Sequence, residues 1–196
     1  MSKSQLIKLS GWAFILGSFA FIISFLADSF SGSVITSILL AVGMLGLRAR
    51  YGERTGSFGR NILLLGVIGP ILLYIAIASM AFMYRSGNLT VAQFEAKGLW
   101  ILIFGGPAVA LLGLTLFGLA ALRSKPMDHL NWLPIFAGIW YPVLYFVLAG
   151  HLFTHNGVYP QQYHTWIQMM FLIQFFALCV FGFVLATDTS QEMATA

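Results

Sequence analysis

Three of the four histidines, His151, His155 and His164, fall close together, with Asn156, Tyr159 and Tyr163 among them. Neutral imidazole is a good ligand for transition metals and for haem iron. His151 and His155 are four residues apart and share a face if the helix carrying them continues that far. His164 opens the next helix. Two such helix ends facing each other would close on one ion, or on a haem near the membrane surface. The same stretch holds no carboxylate and no cysteine. Histidines at the ends of apolar helices also serve as plain polar caps or as proton-sensitive contacts.

Just upstream, Trp140, Leu144, Val147 and His151 recur at helical spacing, with Tyr141 and Tyr145 beside them. An aromatic wall leading to a polar mouth suits a hydrophobic ligand such as a quinone, a pigment or a lipid tail. Core packing is the simpler account, since aromatic residues are 15% of the chain and such clusters arise without a ligand. A more polar stripe, Gln161, His164, Gln168, Cys179 and Gly182, recurs along the last apolar segment. It should look inward, because an amide facing lipid lacks partners. Gln174 points away from that stripe and should meet a different helix.

Four arginines, Arg48, Arg50, Arg54 and Arg60, are interleaved with Gly52, Gly56 and Gly59. They could bind anionic lipid headgroups or the acidic patch of a partner, or act only as a stop at the membrane edge. Asp28 and Glu95 are too isolated to form an acid–base pair, and Cys179 has no second cysteine to join it. There is no GxGxxG, no P-loop, no HExxH and no GxSxG. No catalytic residue and no particular cofactor is indicated.

The elements that hold these residues follow from composition. The chain is 59% hydrophobic and 8% charged, whereas soluble domains carry about a quarter charged residues. Lipid must be its solvent over most of its length. Spans of the required length, about 20 apolar residues, are expected at Leu9–Ala27, Phe30–Leu47, Ile62–Tyr84, Leu99–Leu122, Leu130–Phe153 and Thr165–Thr187. The predicted fold is therefore all-α, one bundle of six transmembrane helices over residues 1–187, followed by a polar, disordered tail at 188–196. Helices satisfy every backbone group internally, which hydrocarbon demands.

Orientation follows from the basic residues. Lys3, Lys8, Arg48, Arg50, Arg54, Arg60, Arg123 and Lys125 fall at one set of span ends, against Arg85 and Lys97 at the other. Both termini should then be cytoplasmic and the chain multi-pass in the cell membrane. Trp12 and Trp132 belong to the same interface, and Trp100 and Trp166 to the opposite one. A cleaved signal peptide is disfavoured, since the apolar run Gly11–Ala27 is long and no A-x-A site follows it. The excess of basic residues is explained by membrane topology, not by nucleic acid.

Sliding the chain by 72 residues aligns 39–72 with 111–144 without a gap and with eight identities, among them Gly46 with Gly118, Gly66 with Gly138 and Pro70 with Pro142. Spans two and three thus resemble spans four and five, a parallel internal repeat. Each proline removes the hydrogen bond to the carbonyl four residues earlier, which belongs to Gly66 or Gly138. Spans three and five should kink at corresponding depths. Gly105, Gly106 and Pro107 make a further deformable point, and Gly106 with Ala110 offers a small-residue contact face. No ionisable residue lies near the centre of any span, which argues against an ion-coupled carrier. The expected function is a non-enzymatic membrane component in contact with lipid, a hydrophobic small molecule or partner subunits. A small transporter built on the repeat and a redox or metal protein using the histidines are the alternatives.

Overall fold

A computed structural model of the chain describes residues 3–26, 30–87, 100–127, 130–154 and 162–187. The described residues are helical, with no strand. Among the described residues eight helices follow one another: α1 Lys3–Leu26, α2 Phe30–Tyr51, α3 Gly56–Ile62, α4 Leu65–Arg85, α5 Trp100–Ser124, α6 Leu133–Gly138, α7 Trp140–Thr154 and α8 Gln162–Thr187. Five stretches of the described residues are long and apolar enough to cross a membrane: Val34–Tyr51, Gly56–Arg85, Gly105–Ser124, Leu133–Gly150 and Gln168–Thr187. The apolar part of α1, Lys8–Ile23, is shorter. The polar tail 188–196 lies outside the described residues.

The helices form a closed ring in chain order. α1 packs on α2, α2 on α4, α4 on α5, α5 on α6 and α7, and these two on α8, which returns to α1. Between lipid-soluble helices the hydrophobic effect supplies no net attraction, so close backbone approach has to hold them together. Glycine provides it at two crossings. A Cβ on Gly106 would stand 2.5 Å from the Gly69 carbonyl oxygen, and one on Gly69 equally near the Gly106 oxygen, which binds α5 to α4. Ala110 lies at the same crossing. Gly11 and Gly182 form the matching seat where α8 closes on α1.

Inside the ring one apolar cluster runs from the end that carries Arg48, Arg50 and Arg123, where Phe14, Met44, Leu47, Leu114, Phe117, Ala121 and Phe181 are fully buried, on to Tyr141, Leu144 and Phe171. Toward the opposite end the described residues of α4 form a small separate cluster around Leu73 and Met80, while Tyr74, Ile75 and Phe82 face outward. Trp12 and Trp132 are exposed on the outer surface near the basic end.

Two of the three proline-bearing spans are broken, each in its own way. Span five stops at Gly138, bends at Ile139 and restarts at Trp140, so Pro142 sits in a first helical turn. A missing N–H costs nothing there. Span three breaks earlier relative to its proline, at Leu63 and Leu64. The turn is tightened by three-residue hydrogen bonds from Leu64 to Asn61 (3.0 Å), Gly66 to Leu63 (3.1 Å) and Val67 to Leu64 (2.9 Å). Pro70 then lies inside α4. The two breaks are therefore not at matched positions, since Val67, and not Leu63 or Leu64, aligns with Ile139. Pro107 lies inside α5, which runs on as one helix past Gly105 and Gly106.

Gly66 and Gly138 serve as seats for neighbours as much as places to bend. A Cβ on Gly66 would run into Met44 of α2, and one on Gly138 into Thr115 Oγ1 and the Leu111 carbonyl of α5. Replacing either would push two helices apart.

Candidate functional site

The break in span five opens the backbone ladder at a definite place. In a continuous helix the Tyr141 N–H would donate to the Ala137 carbonyl. Here the side-chain amide of Gln174, from α8, stands between them. Its Oε1 accepts the Tyr141 N–H at 3.0 Å, and its Nε2 donates to the Ala137 carbonyl oxygen. Gln174 is 1% exposed, and both interrupted backbone groups are satisfied by one residue. Unpaired, each would cost about 1–3 kcal/mol when buried, and hydrocarbon gives neither another partner.

The clasp fixes Tyr141 in the interior. Its ring meets Phe21 of α1 at 5.6 Å and Phe171 of α8 at 6.0 Å between centroids, while Phe21 and Phe171 meet each other at 5.1 Å. Three helices thus contribute one ring each to an aromatic cluster that packs into the core together with Leu144. Tyr141 is 3% exposed, and its hydroxyl has no hydrogen-bond partner among the described residues. Tyr145, one turn on, lays its hydroxyl against the Gly105 backbone of α5, 3.2 Å from where a Cβ would stand.

The inward face of α7 differs from the expected one. Trp140 is half-buried and stacks edge-on against Phe136 at 5.9 Å, and Val147 is 52% exposed. The stripe Trp140–Leu144–Val147 is accordingly split, and Tyr141 with Leu144 takes the interior. The polar stripe on α8 is corrected likewise: Gln168 is exposed, near the end of the helix where an amide can reach polar surroundings, while Gly182 seats against α1. Gln174 meets a different helix, as its register off that stripe implies.

Of the histidines, His155 lies outside the described residues, and His151 and His164 are described as backbone positions near the ends of α7 and α8. Gln161 also lies outside them. Among the described residues no three His, Cys, Asp or Glu side chains gather in a way that could hold a metal ion.

The arginines separate into two kinds. Arg50 is 7% exposed, donates from Nη1 to the Leu185 carbonyl at 3.3 Å and lies 5.1 Å over the Tyr51 ring. Leu185 is in the last turn of α8, where carbonyls lack intrahelical donors and a cation is favoured. Arg50 is therefore turned into the protein. Arg54, in the turn between α2 and α3, and Arg60, on α3, are exposed, and Arg48, in the last turn of α2, is half-buried. Thr55 closes α2 by donating to the Tyr51 carbonyl at 3.1 Å.

Sequence reasoning missed Arg50's inward turn and the clasp between Gln174 and the broken ladder. A signal for the clasp was present, since a lone amide in an apolar helix demands a partner and Pro142 leaves one nearby. No family model matches this chain, and neither a curated protein nor a solved structure shows significant similarity to it.

Proposed function

We propose that this chain is a multi-pass membrane protein of six crossings, with both termini cytoplasmic, that holds a hydrophobic small molecule against span five and carries out no reaction of its own. The observation that carries the reading is the aromatic cluster of Phe21, Tyr141 and Phe171, built at a helix break that Gln174 keeps open. Exposed Arg54 and Arg60, with Arg48, would touch lipid headgroups.

The parallel repeat belongs to the same proposal. It is supported by Gly66 meeting α2 and Gly138 meeting α5, the same helix pairing in both copies. A carrier using the two broken spans is the second reading, favoured by the breaks themselves. Flux lost on Pro70→Ala together with Pro142→Ala, at unchanged expression, would select it.

The test is purification from membranes in a mild detergent followed by native mass spectrometry and absorption spectroscopy. An apolar molecule should leave with the wild type and be lost from Phe171→Ala. A wild type that carries nothing, and takes up no apolar fluorescent probe in nanodiscs, refutes the reading.

A further inference from the structure

We infer that α4 is the surface on which two copies of this chain pair in the membrane, about a two-fold axis normal to the bilayer, with Tyr74 against its own twin. The stretch holding α4, Gly56–Arg85, is the least buried of the five span-length stretches among the described residues. Exposure alone carries no weight, because a helix at the rim of a bundle normally meets lipid. The outward faces of α1 and α8 fit that role, with Leu16, Phe19 and Ile23 on one and Phe176, Val180 and Phe183 on the other.

The outward face of α4 is different. Tyr74 is 71% exposed and is the tenth of the 21 residues of α4, so its phenol stands near mid-depth. Lipid-facing tyrosine belongs at the membrane interface, where its hydroxyl reaches water. From the middle of a hydrocarbon core about 30 Å thick, the ring is too short to get there. Hydrocarbon offers the hydroxyl no partner, whereas a second protein surface does.

Spacing gives the surface a direction. Val67, Ile71, Tyr74, Ala78, Ala81 and Arg85 follow one another at steps of four, three, four, three and four residues. That is the repeat of a seam between two helices crossing at a small angle. Val67 is partly buried and the other five are exposed. Ala78 and Ala81, just beyond Tyr74 on the seam, let a facing backbone come close, as small residues do where membrane helices associate.

A second copy is the occupant that fits. All copies of one chain cross the membrane in the same orientation, so a two-fold axis normal to the bilayer puts each residue at the depth of its twin. A hydroxyl both donates and accepts, and two Tyr74 hydroxyls therefore satisfy each other. A charged side chain would repel its twin, and the seam carries none from Val67 to Ala81. Arg85 ends it at headgroup level, where water and salt screen the two cations.

The experiment uses the full chain in phosphatidylcholine vesicles over a range of protein-to-lipid ratios, with association read by energy transfer between donor- and acceptor-fused copies. Wild-type copies should associate, and Tyr74→Phe should weaken association roughly threefold to twentyfold, the range of one interhelical hydrogen bond. Ala81→Leu should weaken it by holding the backbones apart. Both positions are exposed, so the melting temperature of the monomer should not move. In native membranes, on a Cys179→Ser background, oxidation should join Ala78→Cys copies into dimers. It should leave Leu72→Cys copies single, since Leu72 is exposed on the side of α4 away from Tyr74. Copies that stay monomeric at every ratio, an affinity unmoved by Tyr74→Phe, or equal cross-linking at Leu72→Cys overturns the inference. Cross-linking of Ala78→Cys only to a different protein would give the face to another subunit and overturn the pairing. None of these outcomes bears on the small molecule proposed at span five.

Discussion

Gln174 acts on Tyr141 as a backbone carbonyl would, accepting its N–H at 3.0 Å while returning a donor to Ala137. One side chain from α8 thereby completes the ladder of a different span. The position of Tyr141 depends on α8 more than on the local sequence of α6 and α7.

Gln174→Leu should destabilise the protein by about 1–3 kcal/mol, because two backbone groups lose their partner in a region without water. Thermal melting in nanodiscs reads the loss, and hydrogen exchange at the Tyr141 amide should accelerate. Unchanged melting would contradict the clasp.

Pro142→Ala restores an N–H that can reach the Gly138 carbonyl and so favours a straight span five. Its effect should be coupled to that of Gln174→Leu by about 0.5–3 kcal/mol in a double-mutant cycle. Pro70→Ala, in the other broken span, should combine with Gln174→Leu additively. Equal coupling for both prolines would show that the clasp is not specific to span five.

At the crossing of α4 and α5, Gly106→Ala places a methyl group 2.5 Å from the Gly69 carbonyl oxygen. Overpacking of that kind costs about 1–3 kcal/mol. Gly150→Ala is the control: a Cβ there meets nothing within 4 Å, and alanine in a helix is better than glycine by up to about 1 kcal/mol. Melting temperatures should move in opposite directions.

Arg50→Ala should lower stability by about 1–3 kcal/mol, since it strips a donor from the end of α8 and the cation from the Tyr51 ring. Arg54→Ala, on an exposed side chain, should stay within about 0.5 kcal/mol. Selective weakening of binding to anionic vesicles by Arg54→Ala, and not by Arg50→Ala, would assign the headgroup contact to the exposed arginines.

Much of this architecture was open to reading from residue types. Apolar length predicts long helices, and small residues such as Gly106 and Ala110 mark where helices approach. The amide of Gln174 had to find another helix, because lipid would not serve it. Other features depend on three-dimensional register that one helix does not encode. Pro142 removes the bond to Gly138, but a break also needs the neighbouring rung from Tyr141 to Ala137 to be bridged, and the residue that bridges it is 32 positions beyond Pro142. Arg50 looks like its neighbours Arg48 and Arg54 until the end of α8 arrives beside it. The exposure of Val147 and Gln168 follows from rotations of α7 and α8 set by the ring, which periodicity alone leaves free.

The seat between Gly11 and Gly182 has a consequence for biogenesis. α1 is made well before α8, the second helix it packs against, so the nascent chain waits in the bilayer with an unsealed seam until translation reaches α8. A premature stop before Gly182 would leave that seam permanently accessible to quality-control proteases, and truncated forms should be cleared from the cell even though most of their helices are in place.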